Sequence, residues 1–135
     1  NYLQHNCGMK GYELVQIFPM PGVRESYRLV GKYVLTEHDL LTGVDRQKYD
    51  VDIATIADHQ IDRHGENAGG GEVPTPYAIP ISCTEAKEFD NLFVACRGAS
   101  FSSIAASSVR LTRTMLGLGE KNSREISKRI NIKTM

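Results

Sequence analysis

Cysteine is scarce. The 135 residues hold three, Cys7, Cys83 and Cys96, odd in number and widely spaced, which excludes a disulfide framework and any metal-ligand spacing. Long apolar runs are missing too. The longest, Leu92 to Cys96, is far too short to cross a bilayer. Charge of one sign is not in excess: 16 basic and 16 acidic side chains leave a formal net charge of +0. No global field therefore favours a nucleic acid or a membrane as partner. There is no internal repeat and no secretory signal. The chain begins at Asn1 rather than methionine, as a processed or excised segment does, so the compartment stays open between cytoplasm and export.

What is present is ordinary in bulk. Apolar content of 41% and charged content of 24% are those of a globular protein, and a chain this long can bury roughly two-thirds of its unfolded surface in one domain. The charge is unevenly spread, however. Residues 51–90 carry eight acidic and two basic side chains, whereas residues 91–135 carry eight basic and two acidic. The last third, locally +6, can meet either an anionic ligand or the acidic middle of its own chain.

Read from the amino end, Tyr12 to Phe18 alternates loosely and stops at Pro19-Met20-Pro21-Gly22, a strand followed by a turn. Arg28 to Leu35 is a second strand, interrupted at Gly31, where a bulge or a close backbone approach is expected. Thr36-Glu37-His38-Asp39 opens a short helix with an approximate capping box, and Gly43 ends it. Val51 to Ile61 is a third extended stretch. Residues 65–76 (GENAGGGEVPTP) read as a flexible surface loop, because three consecutive glycines lose much backbone entropy on ordering and bury nothing. Tyr77 to Ile81 is extended through its prolines.

The segment from Phe89 to Gly119 carries most of the information. Leu92 to Cys96 reads as a buried strand, followed by a small-residue loop, Arg97 to Ser103. An amphipathic helix comes next. Its stripe is Ile104, Leu111, Met115 and Leu118, with Ala105, Val109 and Leu116 beside it, and Gly117 and Gly119 close it. Asn122 with Glu125 then caps a final helix through Ile126 and Ile130. The predicted class is α+β: a small, mostly antiparallel sheet, a strand-loop-helix unit and a C-terminal helix. Residues 1–88 form a β-rich segment with the loop at 65–76, and residues 89–135 form the strand-loop-helix and terminal helix.

A buried strand that runs through a Gly/Ser loop into a helix amino terminus makes an anion site, because the first helical amides lack partners and the peptide dipoles add up there. Arg97, Ser100, Ser107 and Ser108 lie in or just after that loop. A loop of small residues is equally a packing solution.

Family resemblance narrows the choice. Asp90 to Glu120, DNLFVACRGASFSSIAASSVRLTRTMLGLGE, resembles the closing motif of a family of FAD-dependent oxidoreductases, close to D-N-L-L-V-A-G-R-x-I-S and then S-x-R-x-x-x-T-x-x-x-L-G. Arg24-Glu25-Ser26-Tyr27-Arg28 with Leu29-Val30-Gly31 resembles that family's R-E-S-R-R-I-x-G. Tyr33 to Thr36 resembles its Y-x-L-T, Tyr77-Ala78-Ile79-Pro80 its Y-x-I-P, and Ile61-Asp62-Arg63-His64 more faintly its I-D-x-H. The pieces occur in the family's order over about residues 20–120.

The resemblance implies an incomplete piece of a Rossmann-type flavoprotein. Family enzymes bind FAD through an amino-terminal Rossmann-like domain with a Gly-rich turn, and their closing strand and helix return to the flavin ring. The matching cofactor-binding positions here are Ser107, Ser108, Val109 and Arg110, with Arg97 and Ser100 from the loop. The matching substrate-side residues are Arg24 and Arg28, whose planar forks suit a carboxylate or another anion, together with Tyr77. Pairing of the two arginines with Glu25, Glu37 or Asp39 is the plainer use. His59 and His64 are candidates for proton transfer or simple surface residues. Cys96 takes a glycine position of the motif.

The sequence departs from the pattern twice. No G-x-G-x-x-G occurs, so the expected partner is a missing Rossmann-like domain, and the chain alone is expected neither to hold FAD nor to turn over a small-molecule substrate. After Gly119 the family's small residues give way to Glu120-Lys121-Asn122-Ser123. A module of a carbohydrate-processing protein, a xanthan or other polysaccharide lyase built on Arg24, Arg28, Tyr77 and His59, or a non-catalytic fragment, is the alternative. Metal sites are not expected, and a homo-oligomer is left open.

Overall fold

The computed structural model describes residues 2–20, 22–45, 47, 53–63 and 69–133. It is α+β, with two two-stranded antiparallel sheets and a long C-terminal helix. In chain order the elements are α1 (Tyr2–Asn6), α2 (Glu37–Thr42), β1 (Ile53–Ala57), β2 (Ile61–Arg63), β3 (Gly69–Gly71), β4 (Tyr77–Pro80), a 3-10 turn (Ile81–Cys83), α3 (Ser103–Val109) and α4 (Thr112–Lys133).

β1 pairs with β4 from Ile53 opposite Pro80 to Ala57 opposite Tyr77, with one irregularity between Ile53 and Thr55. β4 is buried at all four positions, which explains how a strand with a terminal proline survives: Pro80 sits at its end, where no ladder donor is required. α4 packs across β1, and α3 across β2. Leu35, Leu40, Tyr77, Ile79, Cys83, Phe101, Ala105, Val109 and Leu118 form one core cluster.

The short helix α2 begins as its sequence predicts. The Asp39 carboxylate accepts from the Thr36 amide at 2.7 Å and from the Thr36 hydroxyl at 2.9 Å, tying the first turn to its own cap. Gly43 ends it at φ +75°, where a side chain would be strained.

Several expectations are corrected. Tyr12 to Phe18 forms no strand; it runs without regular structure, with Leu14, Val15, Ile17 and Phe18 exposed. Arg28 to Leu35 is extended, but it pairs only through single bridges, Gly31 with Ala86 and Leu35 with Phe101. A Cβ on Gly31 would lie 2.6 Å from the Ser100 Cβ, so the glycine does mark a close approach. The extended stretch at 51–61 is split into β1 and β2, its first two residues lying outside the described set.

The glycine tract is the sharpest reversal. Within the segment expected to be a flexible loop, Gly69–Gly71 forms β3 and pairs with Arg63, Asp62 and Ile61. A ladder supplies backbone hydrogen bonds that do not depend on side chains, and β2 provides the partner that propensity alone cannot foresee.

Leu92 to Cys96 is not a buried strand either. It makes one bridge, Phe93 to Glu85, and Leu92 and Cys96 are exposed. The single helix expected over 104–118 is divided at Arg110 and Leu111, and the second part continues unbroken from Thr112 to Lys133. Gly117 and Gly119 therefore do not close a helix. Asn122 is no cap: it is buried mid-helix, its Oδ1 accepting from Thr84 Oγ1 at 2.7 Å. Leu116 is exposed. The buried stripe is Thr114, Leu118 and Asn122, at the four-residue spacing of one helix face.

The charge asymmetry is used internally. Asp58 pairs with Arg113, Asp62 with Arg110, and Glu85 with Arg129, whose guanidinium lies 4.9 Å over the Phe93 ring. Each bridge joins the acidic middle to the basic last third.

Candidate functional site

Three short segments meet at one open cleft of about 350 Å³, lined by Arg24, Glu25, Asp62, Ser103, Ile104, Ala106, Ser107 and Arg110. Each side chain has a structural reason for its position. α3 presents Ser103 and Ser107 four residues apart on one face, its start fixed by Ser102, whose hydroxyl accepts from the Ala105 amide at 3.2 Å. β2 delivers Asp62, held against α3 by its amide, which donates to Ser107 Oγ at 3.0 Å. Ser107 in turn donates to the Ile104 carbonyl at 2.7 Å. Arg110 follows α3 directly and so reaches the same carboxylate.

The charges are closely organised. Asp62 Oδ2 accepts from Arg24 at 2.8 Å and from Arg110 at 3.0 Å. Two guanidiniums thus share a single carboxylate oxygen. Glu25 pairs with Arg28 and accepts from Ser103 Oγ at 2.8 Å, while Arg28 also donates to the Phe101 carbonyl at 2.8 Å. Along the lining itself Arg24 and Arg110 balance Glu25 and Asp62. The Arg110 and Asp62 side chains are 22% and 33% exposed, against 59% for Arg24, so Arg24 is the solvent-side member and Arg110 the more buried one.

Among the other residues marked by the sequence, Arg97 is exposed and donates to the Val23 carbonyl at 3.3 Å. It borders a second shallow hollow of about 380 Å³ with Arg24, Tyr27 and Cys96. Ser100, Ser108, Val109 and Tyr77 are buried. Tyr77 and Ser108 are 2.6 Å apart, and Ser108 Oγ donates to the His59 carbonyl. Burial pushes the Tyr77 phenol up to about 12, and does the same to the Cys83 thiol, so both are neutral and inert at ordinary pH. His64 lies outside the described residues.

The structure therefore brings Arg24, Ser107 and Arg110 to the cleft, pairs Arg28 with the cleft residue Glu25, and keeps Tyr77, Ser100, Ser108 and Val109 away from it. Ser107 to Arg110 occupy the carboxyl end of α3, not an amino end. Glu25 pairs with Arg28 as the plainer reading expected; the residues that sequence reasoning did not single out are Asp62 and Ser103. Asp62 was open to notice as the only acid within Ile61-Asp62-Arg63-His64.

Among the described residues, no three His, Cys, Asp or Glu side chains gather as a metal would require, and no helix is long and apolar enough to cross a membrane.

A family model described as FAD dependent oxidoreductase matches residues 1–121, a span that includes every cleft residue. No curated protein and no solved structure matches the chain, and nothing in the comparisons supports a polysaccharide lyase.

Family membership implies FAD in the full protein. Of the six expected cofactor positions, three have side chains closed off from any ligand in this structure. Ser100 and Val109 are sealed in the core, and Ser108 spends its hydroxyl on Tyr77 and His59. Only Arg97, Ser107 and Arg110 keep atoms near open surface.

Proposed function

We propose, from the premise that this chain belongs to the family of FAD-dependent oxidoreductases, that it forms the substrate side of such an enzyme and that FAD is held mainly by elements outside these 135 residues. The observation that carries this reading is the arginine-carboxylate cleft. Arg24 and Arg110, rigid planar donors, line an opening of small-molecule size, an arrangement suited to fixing an anionic substrate in one orientation.

The surface supports the same reading. Leu14, Val15, Ile17, Phe18, Met20 and Tyr27 are exposed, and Leu92 is exposed in an apolar run. Apolar exposure on this scale is what a surface covered by another part of a protein would leave, and a Rossmann-like domain of the same enzyme is the partner that fits. The missing G-x-G-x-x-G points the same way, because a pyrophosphate needs that close backbone approach.

Absorbance of the purified full protein tests the assignment. Bound flavin, giving a yellow protein, is expected. A colourless full protein with an intact Gly-rich turn overturns it. The 135-residue chain alone is expected to retain no FAD in a titration; micromolar affinity there would show that the cofactor site is complete within it.

A further inference from the structure

The cleft also carries information about what it takes. Resting on the assignment of this cleft to substrate, we infer that it binds a small carboxylate bearing its own hydrogen-bond donor, a hydroxy- or amino-acid, with Arg24 and Arg110 on the acid and Asp62 on the donor.

The inference starts from how Asp62 is used. Its Oδ2 is taken by both Arg24 and Arg110, whereas its Oδ1 meets no donor among the described residues. An ionised carboxylate has about four acceptor sites, so a half-used one at the wall of an open cleft is an acceptor waiting for a donor. Each arginine has five N–H groups and uses one toward Asp62, which leaves edges for a second carboxylate. The same three side chains therefore offer two kinds of contact at once: forked donors for an acid, and an acceptor for an O–H or N–H beside it.

The charge balance chooses among anions. Arg24 and Arg110 balance Glu25 and Asp62 along the lining, so the cleft has no positive excess to hold a dianion, and a monoanion is the less costly guest. A phosphate dianion brings a second negative charge against Asp62 and Glu25, and like charges this close repel. The cleft volume of about 350 Å³ is at the small end of ligand sites, which fits an acid of a few carbons. Asp62 has a second role as the internal anion that a substrate carboxylate competes with for Arg24 and Arg110.

That double role gives the test an unusual sign. Calorimetric titration of the full protein with acetate, glycolate and inorganic phosphate is the experiment. Glycolate should bind on the order of tenfold more tightly than acetate, the value of one charge-assisted hydrogen bond, and phosphate more weakly than glycolate. Asp62→Asn should erase the glycolate preference while tightening acetate, because the competing charge is gone. Arg110→Gln should weaken both carboxylates about tenfold or more, with Arg110→Lys recovering part of the loss and so separating lost charge from lost folding. Equal binding of acetate and glycolate, phosphate binding tightest, or Asp62→Asn weakening acetate would each overturn the inference. A yellow full protein that binds neither carboxylate sinks this inference and leaves the oxidoreductase assignment standing. A colourless one with an intact Gly-rich turn sinks that assignment whatever the carboxylates do.

Discussion

Replacing Ser108 by alanine separates two roles for one residue. The family pattern places Ser108 among the cofactor contacts, whereas the structure buries it completely between Tyr77 and His59. Proton bookkeeping fixes the direction of that chain. The His59 carbonyl can only accept, so the one Ser108 proton goes to it, and Tyr77 must then donate to Ser108 Oγ. Deleting the hydroxyl orphans a buried phenol and removes the donor from a half-buried carbonyl. An unsatisfied buried group costs about 1–3 kcal/mol and the half-buried carbonyl adds about 1 more at most, so Ser108→Ala should lose about 2–4 kcal/mol of stability.

Tyr77→Phe removes only the donor. Ser108 keeps its bond to His59, and the loss should be about 1 kcal/mol, near the net value of one hydrogen bond. In the double variant the orphaned phenol no longer exists, so the combined loss should fall about 1 kcal/mol or more short of the sum of the singles. Urea unfolding of the four proteins, followed by far-ultraviolet circular dichroism, measures the cycle. If Ser108→Ala costs under about 0.5 kcal/mol while the full protein releases its flavin, Ser108 is a cofactor contact and the buried geometry is wrong.

Two glycines seven and nine residues from the break before α4 should respond oppositely to the same change. A Cβ on Gly117 would lie 2.5 Å from Thr55 Oγ1, whereas one on Gly119 meets nothing within 4 Å. Gly119→Ala should therefore stabilise by about 0.5–1 kcal/mol through helix propensity alone, and Gly117→Ala should destabilise by about 1–3 kcal/mol as β1 and α4 are forced apart; thermal midpoints of the two variants decide it. Alkaline titration gives a third check. Tyr77 and Cys83 are both raised to about 12 by burial, so the unfolded chain releases these protons first. Their stabilising contribution is complete below the unfolded pKa values near 9–10 and is lost as pH climbs to about 12, at ~1.4 kcal/mol per unit for each group. Tyr77→Phe should flatten that slope by one group's share in urea midpoints measured between pH 9 and 11.

The α2 cap was legible because its physics is local: Thr36, Asp39 and Gly43 act within one turn of chain. β4 was legible for a related reason, since its prolines limit the backbone before any neighbour is considered. What could not be read depends on partners distant in sequence. Gly69–Gly71 becomes a strand because β2 offers a ladder, and Gly117 stays within a helix because Thr55 needs the room. The apolar run Leu92 to Cys96 reads as buried on composition, yet these described residues provide no cover for Leu92. At the cleft, Arg24 and Arg28 were found through motif resemblance, whereas Asp62 was overlooked: a lone aspartate carries no signal until two arginines from residues 38 and 48 positions away converge on it.

That convergence also explains why the buried and open parts of the candidate set divide as they do. A serine on α3 either faces the core or faces β2 and solvent, because the helix turns about 100° per residue. Ser108 falls on the first side and finds Tyr77; Ser107 falls on the second and finds the Asp62 amide. One residue of rotation therefore separates a structural hydroxyl from one that lines an opening. Ser107 fixes Asp62, Asp62 fixes Arg110 and Arg24, and the orientation of the cleft follows from that order. Arg110 is then the arginine whose loss should matter more than that of Arg24, since it is the less exposed of the two and has less freedom to be replaced by water.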